Sequence, residues 1–205
     1  MATAALLVGG YILGSCPWGY WLVRAFRGDD IRREGSGNIG GTNVWRSYGA
    51  SFGLPVLALD FLKGFVPAIL GVLFVSHPVG AIAGTLAMLG HWRPLFLRFA
   101  RGGKMVATGG GVFFAIAPLV AATSLLIWGI LFWTVGFASV ASVTAALLAP
   151  LEAWLYDYPL SAKLFSFFAA FGTAYLHRSN FERLRAGTEL RSGIALVTRL
   201  RAHRT

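Results

Sequence analysis

Three segments of this chain gather glycines, small polar side chains and single cations in a way that suits phosphate. The first, from Asp30 to Arg46, places glycines at 35, 37, 40 and 41, with Ser36, Asn38, Thr42 and Asn43 among them and Arg46 one helical turn on. Closely spaced glycines let backbone N–H groups converge on an anion, short polar side chains add donors, and arginine supplies a planar cation. We therefore expect Ser36 and Arg46 to bind phosphate, with Gly37, Asn38, Gly40, Thr42 and Asn43 shaping the cradle. A flexible solvated loop is the plainer alternative, but it leaves two Asn, a Ser and a Thr among four glycines in nine positions without a reason. Gly35, Gly37 and Gly40 also satisfy G-x-G-x-x-G. That dinucleotide fingerprint needs a strand before it and a helix after it in a βαβ unit, a context these apolar surroundings do not offer.

The second segment runs from Gly90-His91 to Arg101-Gly102-Gly103-Lys104 and on to Thr108 and three further glycines. It sets one lysine and one threonine where a helix should begin, and helix N-termini bind anions through free N–H groups. Lys104 is thus a second phosphate cation, with Gly102, Gly103 and Thr108 shaping its loop; a basic hairpin lying on anionic lipid is the competing reading. The resemblance to a P-loop is superficial, because the spacing to a Gly-Lys-Ser/Thr end is missing. The third segment follows the last apolar stretch, and there His177 and Asn180 share a helix face. His177 and Glu182 approximate an H-x4-D box with Glu for Asp, which one His and one acid five residues apart produce by coincidence. Asp60 and Lys63, three apart within an apolar stretch, form an intramembrane pair expected to face the bundle interior.

The elements that must position these residues are set by composition. Of 205 residues 56% are hydrophobic and only 13% are charged, and the mean hydropathy is +0.65. A soluble domain carries about a quarter of its residues as Asp, Glu, Lys and Arg, so a soluble globular protein is excluded. No charge or histidine precedes Arg24, and none lies in the 47-residue neutral run from Met105 to Leu151. Apolar stretches at roughly 3–24, 52–76, 79–97, 105–150 and 158–176 read as membrane spans. The segments 24–50 and 91–104 are strongly basic, as is the tail with Arg178, Arg183, Arg185, Arg191, Arg199, Arg201 and Arg204. By the positive-inside rule these face the cytoplasm, which puts the N-terminus outside and the C-terminus inside.

The neutral run must then cross an odd number of times. As helix it would reach ~70 Å against a hydrocarbon core of ~30 Å, too long for one span and short for three. Pro118, Gly129 and Gly136 divide it into pieces compatible with three short or broken spans, so seven transmembrane helices are preferred over five. Cys16, the single cysteine, excludes an internal disulfide or a Cys-based metal site. Leu13-Gly14-Ser15-Cys16 is loosely like a lipoprotein cleavage site, but the residues before it supply no basic n-region, so 3–24 reads as a first span.

With those residues laid out, the chain resembles the bacterial membrane acyl-phosphate:glycerol-3-phosphate acyltransferases, the PlsY family. The resemblance covers nearly the whole chain: Gly14-Ser15-x-Pro17-x-Gly19-Tyr20, Asp30 to Arg46, Asp60-x-x-Lys63-Gly64, Gly90-His91-x-x-Pro94-x-Phe96, Gly102-Gly103-Lys104-x-Val106-Ala107-Thr108, and His177-x-x-Asn180-x-x-Arg183-Leu184-x-x-Gly187-x-Glu189. It implies seven spans with the motifs on the cytoplasmic side of the bacterial inner membrane. It implies transfer of a fatty acyl group from acyl-phosphate to the 1-hydroxyl of glycerol 3-phosphate, the first step of phospholipid synthesis, with no cofactor. By the same resemblance Asn180 joins the catalytic set, and His91, Arg183 and Glu189 join the substrate-binding set. Two positions depart from the family pattern: Met105 stands where the family usually has Gly, which should stiffen the loop, and Arg101 where Lys is commoner.

Acyl-phosphate is an activated mixed anhydride, so the enzyme's task is positioning and stabilising developing charge, without a covalent intermediate. Cys16 has no His assigned beside it, so a thioester route lacks support. His177 is the first choice for general base and His91 the second, with a donor phosphate oxygen as the third acceptor of the proton. A rival class, a membrane transporter of small organic phosphates, would use motif residues on both faces of the membrane, whereas these fall on one. The expectation is a single all-α polytopic domain over residues 1–205 that binds no metal and no nucleic acid, with acyl-chain preference and oligomeric state left open.

Overall fold

A computed structural model describes residues 1–191, and all regular structure there is helical. Arg199, Arg201 and Arg204 of the basic tail lie outside the described residues. The helices are α1 (Ala2–Gly14), α2 (Trp18–Arg27), α3 (Gly41–Tyr48), α4 (Ala50–Phe74), α5 (His77–Trp92), α6 (Val106–Ile116), α7 (Pro118–Val135), α8 (Ala138–Leu155), α9 (Leu160–Leu176) and α10 (Arg178–Arg185). By length and composition α4, α7 and α8 can each cross a membrane; α1 with α2 makes a fourth candidate, bent by 44° at the break between them, and α6 and α9 are shorter apolar helices.

The first span expected over 3–24 is broken by that bend into two helices. Pro17 has no N–H to give and disfavours helix in the residue before it, so α1 stops and α2 restarts at Trp18. The carbonyl of Cys16, freed by the break, accepts from Lys63 Nζ at 3.0 Å. The neutral run does break at Pro118 and at Gly136, whose φ of +83° ends α7 in the left-handed region. Gly129 is not a divider. It lies inside α7 facing open space, where a glycine only weakens the helix.

Long α4 is the axis of the bundle, in contact with α1, α3, α5 and α6. Helices in lipid gain no hydrophobic drive to associate, so small residues must let the backbones approach closely. Gly64 of α4 lies against the Thr108 carbonyl of α6, and Gly111 of α6 against the Phe61 carbonyl of α4; a Cβ at either would overlap the facing backbone. Within this core Asp60 Oδ1 and Lys63 Nζ pair at 2.8 Å, both side chains at most 4% exposed. Two buried charges held together and aimed at a helix break explain why the pair is tolerated at this depth. The outward faces carry Leu73, Phe74, Leu126, Leu155 and Phe171, as a lipid-facing surface requires.

Candidate active site

The three motifs meet at one end of the bundle. A cavity of about 420 Å³ is lined there by Ser36, Asn38, Gly40, Thr42, Asn43 and Arg46 of the first segment, His91 and Lys104 of the second, and His177, Asn180, Arg183 and Glu189 of the third. Asp60 also reaches its wall. Gly37, Gly102, Gly103, Thr108 and Lys63 do not line it. The glycines 102 and 103 act on the frame: their amides donate to the carbonyls of Trp92 and His91, both at 2.9 Å, which folds the chain back and presents Lys104. Thr108 is fully buried with its hydroxyl unpartnered, and Lys63 is spent on Asp60 and the Cys16 carbonyl.

The first segment works differently from a nest of free amides. Asn43 Oδ1 accepts the Ser36 N–H at 2.9 Å and Asn38 Oδ1 the Gly40 N–H at 2.8 Å, while the Gly37 N–H goes to the Glu34 carbonyl. Those donors are occupied, so the side chains of Ser36, Thr42 and Arg46 are left to meet an anion. Asn43 Nδ2 donates to the carbonyls of Glu34 and Asn38, and Asn38 Nδ2 to that of Gly102. The two asparagines thereby shape the loop and tie it to the Lys104 loop.

The third segment is organised by Glu189. Its Oε1 accepts from Asn180 Nδ2 at 2.6 Å and from Ser139 Oγ at 3.0 Å, and its Oε2 from Arg183 Nε at 2.8 Å. Asn180 in turn offers Oδ1 to Lys104 Nζ. This chain of bonds joins α10, the N-terminus of α8 and the Lys104 loop, and it turns the lysine toward the cavity. Arg46 stands in the same field, attracted by Glu189 and repelled by Arg183. With Asp60 offset by Lys63, the three cations Arg46, Lys104 and Arg183 against the Glu189 carboxylate make a pocket that an anion of charge two would neutralise.

Protonation follows from burial. His177 Nδ1 lies 2.8 Å from the Thr173 carbonyl, so it carries the proton and leaves Nε2 with a lone pair. Burial, then the charge of Lys104, hold this imidazole down to about 4, so it is neutral throughout the neutral range. Burial and the like charge of Arg183 bring Lys104 down to about 8. An anion bound through Lys104 needs the ammonium form, so kcat/KM, which reports groups of the free enzyme, should fall as pH rises through about 8. Lys104→Arg should remove that limb from whatever activity remains; a limb unchanged in the arginine variant would assign it elsewhere. His91 sits with Nδ1 3.7 Å from Asp60 Oδ1, beyond hydrogen-bond reach and unpartnered. Among the described residues no three His, Cys, Asp or Glu side chains gather to hold a metal.

Met105 is the N-cap of α6 with φ +67°, the conformation for which glycine is suited, and this accounts for the departure at this position. The left-handed backbone costs about 1–2 kcal/mol. Only 2% exposed, its side chain is buried in the core, a gain of about 1.5–3 kcal/mol that offsets the strain.

Sequence reasoning missed the other half of the cavity. Beyond the cations it continues as an apolar arm between α6, α7 and α8, past Phe113, Phe114, Leu125, Trp128 and Ala145. The available signal was the recurrence of Ser139, Ser142, Ala145 and Ala146 at helical spacing within the neutral run, a face too small to fill a packed seam.

Fold and site define a class: a polytopic helical membrane protein whose interior pocket joins a cationic head to an apolar arm. The chain belongs to the glycerol-3-phosphate acyltransferase family, whose model it matches over residues 4–187. A glycerol-3-phosphate acyltransferase of Roseiflexus sp. (strain RS-1) is 43% identical over 93% of this chain and 96% of its own. That of Aquifex aeolicus (strain VF5) is 40% identical over 93% of this chain and all of its own. A crystal structure of PlsY, an integral membrane glycerol 3-phosphate acyltransferase in its glycerol 3-phosphate form, superposes with a TM-score of 0.89 at 39% identity, covering 94% of this chain and 96% of the other. Its lysophosphatidic acid form gives 0.85 at 38% identity, covering 95% and 97%.

Proposed function

We propose that this protein transfers a fatty acyl group from acyl-phosphate to the 1-hydroxyl of sn-glycerol 3-phosphate, giving 1-acylglycerol 3-phosphate and phosphate, the first step of phospholipid synthesis. The observation that carries this reading is the continuity of the cationic pocket with the apolar arm in one cavity. Both substrates bear phosphate and the donor also bears a hydrocarbon tail, so one cavity with those two characters suits the pair. The solved PlsY forms hold glycerol 3-phosphate and lysophosphatidic acid, an acceptor and a product of this reaction type.

In this reaction the glycerol hydroxyl attacks the acyl carbonyl, the C–O bond to phosphate breaks, and the proton ends on the released phosphate. Ser36, Arg46 and Lys104 hold phosphate oxygens and stabilise the charge that develops as the bond breaks. His177 offers the Nε2 lone pair either to orient the attacking hydroxyl or to take its proton. Asn180, Arg183 and Glu189 fix Lys104, while Asn38, Gly40, Thr42, Asn43 and His91 shape the walls. Cys16 does not line the cavity, and its thiol points to the Ile12 carbonyl, which is consistent with direct transfer.

Seven spans are formed by α1 and α4 through α9, with the N-terminus outside and α10 at the cytoplasmic face of the bacterial inner membrane, in one domain over residues 1–205. Apart from Asp60, the charged residues of the cavity come from α3, the Lys104 loop, α10 and the segment that follows it, all at one end. That one-sidedness disfavours a transporter of organic phosphates. The test is phosphate release by the purified protein in bilayers from palmitoyl-phosphate, with and without glycerol 3-phosphate, and with palmitoyl-CoA as control donor. Release that depends on glycerol 3-phosphate and is absent with the CoA ester is expected. A folded sample without turnover that still binds glycerol 3-phosphate would overturn the reading. His177→Gln should lower kcat with little change in KM.

A further inference from the structure

We propose that His91, aligned by Asp60, accepts a hydrogen bond from the acceptor's 2-hydroxyl, the one that does not react, and so selects glycerol 3-phosphate over simpler hydroxyalkyl phosphates. This rests on the acyltransferase reading and assigns a specificity that the cations of the pocket cannot supply. Arg46, Lys104 and Arg183 only donate hydrogen bonds, so they recognise a phosphate on any carbon chain. A hydroxyl that is held through its own proton needs an acceptor, and most acceptors around the cavity are spent. Both carboxylate oxygens of Glu189 and the amide oxygens of Asn180, Asn38 and Asn43 are already bonded within the protein. Asp60 Oδ1 is taken by Lys63. The imidazoles of His177 and His91 each keep a ring nitrogen for the cavity.

His91 lies in the last turn of α5, buried, with its ring at the cavity wall. Of its two nitrogens only Nδ1 is sealed from the cavity, and it has no hydrogen-bond partner among the described residues. It faces Asp60 Oδ1 at 3.7 Å. A carboxylate at that distance favours the tautomer with the proton on Nδ1, turned to the charge, which leaves the lone pair on Nε2. Asp60 is held in place by Lys63 Nζ at 2.8 Å, so the tautomer has a fixed cause. The Nε2 edge of the ring packs against Gly103, so tightly that a Cβ there would overlap it, and the lone pair is thereby fixed in direction as well. Its place suits the 2-hydroxyl. In glycerol 3-phosphate that hydroxyl is one carbon nearer the phosphate than the 1-hydroxyl, so the group that meets it must stand beside a phosphate cation. Gly103 immediately precedes Lys104, and His91 stands there; His177 on α9 is left for the hydroxyl that reacts.

The experiment measures acceptor-dependent phosphate release from palmitoyl-phosphate in bilayers. It takes the ratio of kcat/KM for glycerol 3-phosphate to that for 3-hydroxypropyl phosphate, the same acceptor without its 2-hydroxyl. The ratio is formed within each variant, so it does not depend on how much of the protein folds. The wild type should prefer glycerol 3-phosphate by on the order of 10–100-fold, because the analogue leaves a buried acceptor unpaired. His91→Leu removes that acceptor and should bring the ratio close to unity, chiefly through lost activity on glycerol 3-phosphate. His91→Gln, whose amide oxygen reaches the position of Nε2, should keep most of the preference. Asp60→Asn with Lys63→Met removes both buried charges and should give an intermediate ratio, since the tautomer loses its bias while the ring stays. A wild type without preference, or a His91→Leu variant that loses activity equally on both acceptors, overturns the assignment. If the wild type releases phosphate with neither acceptor, the acyltransferase reading itself fails and the selectivity role falls with it.

Discussion

Lys104→Ala should lower kcat/KM by on the order of 10²–10³-fold in a protein that still folds. Lys104 lies on a loop, half-buried, and its hydrogen bond in the free protein is to Asn180 Oδ1. Losing that bond leaves an amide oxygen that water in the cavity can reach, so the stability cost stays near 1 kcal/mol. The catalytic cost is larger, because the ammonium group is placed for phosphate charge in a site partly shielded from water. A single preorganised donor of this kind is worth about 2.7–4 kcal/mol in the transition state. Steady-state phosphate release across both substrate concentrations, with thermal unfolding in the same detergent, separates the two effects. A loss smaller than about tenfold would take Lys104 out of the reacting centre.

A comparable loss is expected from Gly103→Ala, a residue that touches no substrate. A Cβ there would overlap the His91 imidazole, and that ring cannot retreat, because it is 3% exposed and wedged beside Asp60. The loop must move instead, and it carries Lys104 on the next residue and the amide that bonds the His91 carbonyl. Displacing a catalytic group by about 1 Å can cost 10²-fold. The expected signature is a drop in kcat/KM of on the order of 10²-fold with an unchanged α-helical circular dichroism spectrum. Gly110→Ala, one turn into α6 where a Cβ meets open space, should retain the spectrum and most of the stability. If Gly103→Ala is as active as the wild type, the His91 contact does not position the lysine.

The boundary between what was legible in the chain and what was not follows from the range of the forces involved. Composition and the clustering of charge were enough for an all-helical membrane protein, because the cost of unpaired backbone in lipid permits few alternatives. Pro118 and Gly136 marked real breaks because each acts through its own backbone. Gly129 did not, since one glycine only weakens a helix and the turns on either side outvote it. The break at Pro17 was equally local and could have been read, but hydropathy averaged over a window conceals a bend of 44°.

At the site, residue types and their spacing were sufficient to single out Ser36, Arg46, Lys104 and His177, which the fold brings to one cavity, since they are chemically unusual against so apolar a background. The division of labour among them was not readable. Whether an amide is free or already bonded depends on a side chain elsewhere in the loop, as with Asn43 and the Ser36 N–H, and whether a glycine lines a cavity or supports a ring depends on packing, as with Gly103 and His91. The apolar arm depends on tertiary structure most of all, because it is a space between helices. Ser139, Ser142, Ala145 and Ala146 look like any small helical face until α7 is held off by the bonds Trp128 and Ser124 make across the seam. By itself the sequence determined the class of fold and the residue types suited to phosphate chemistry, because these follow from local propensity and transfer energies summed along the chain. Only the tertiary structure decided which donors are spent, which glycines support rather than bind, and where a hydrocarbon chain has room, because each is a property of two or more segments brought together.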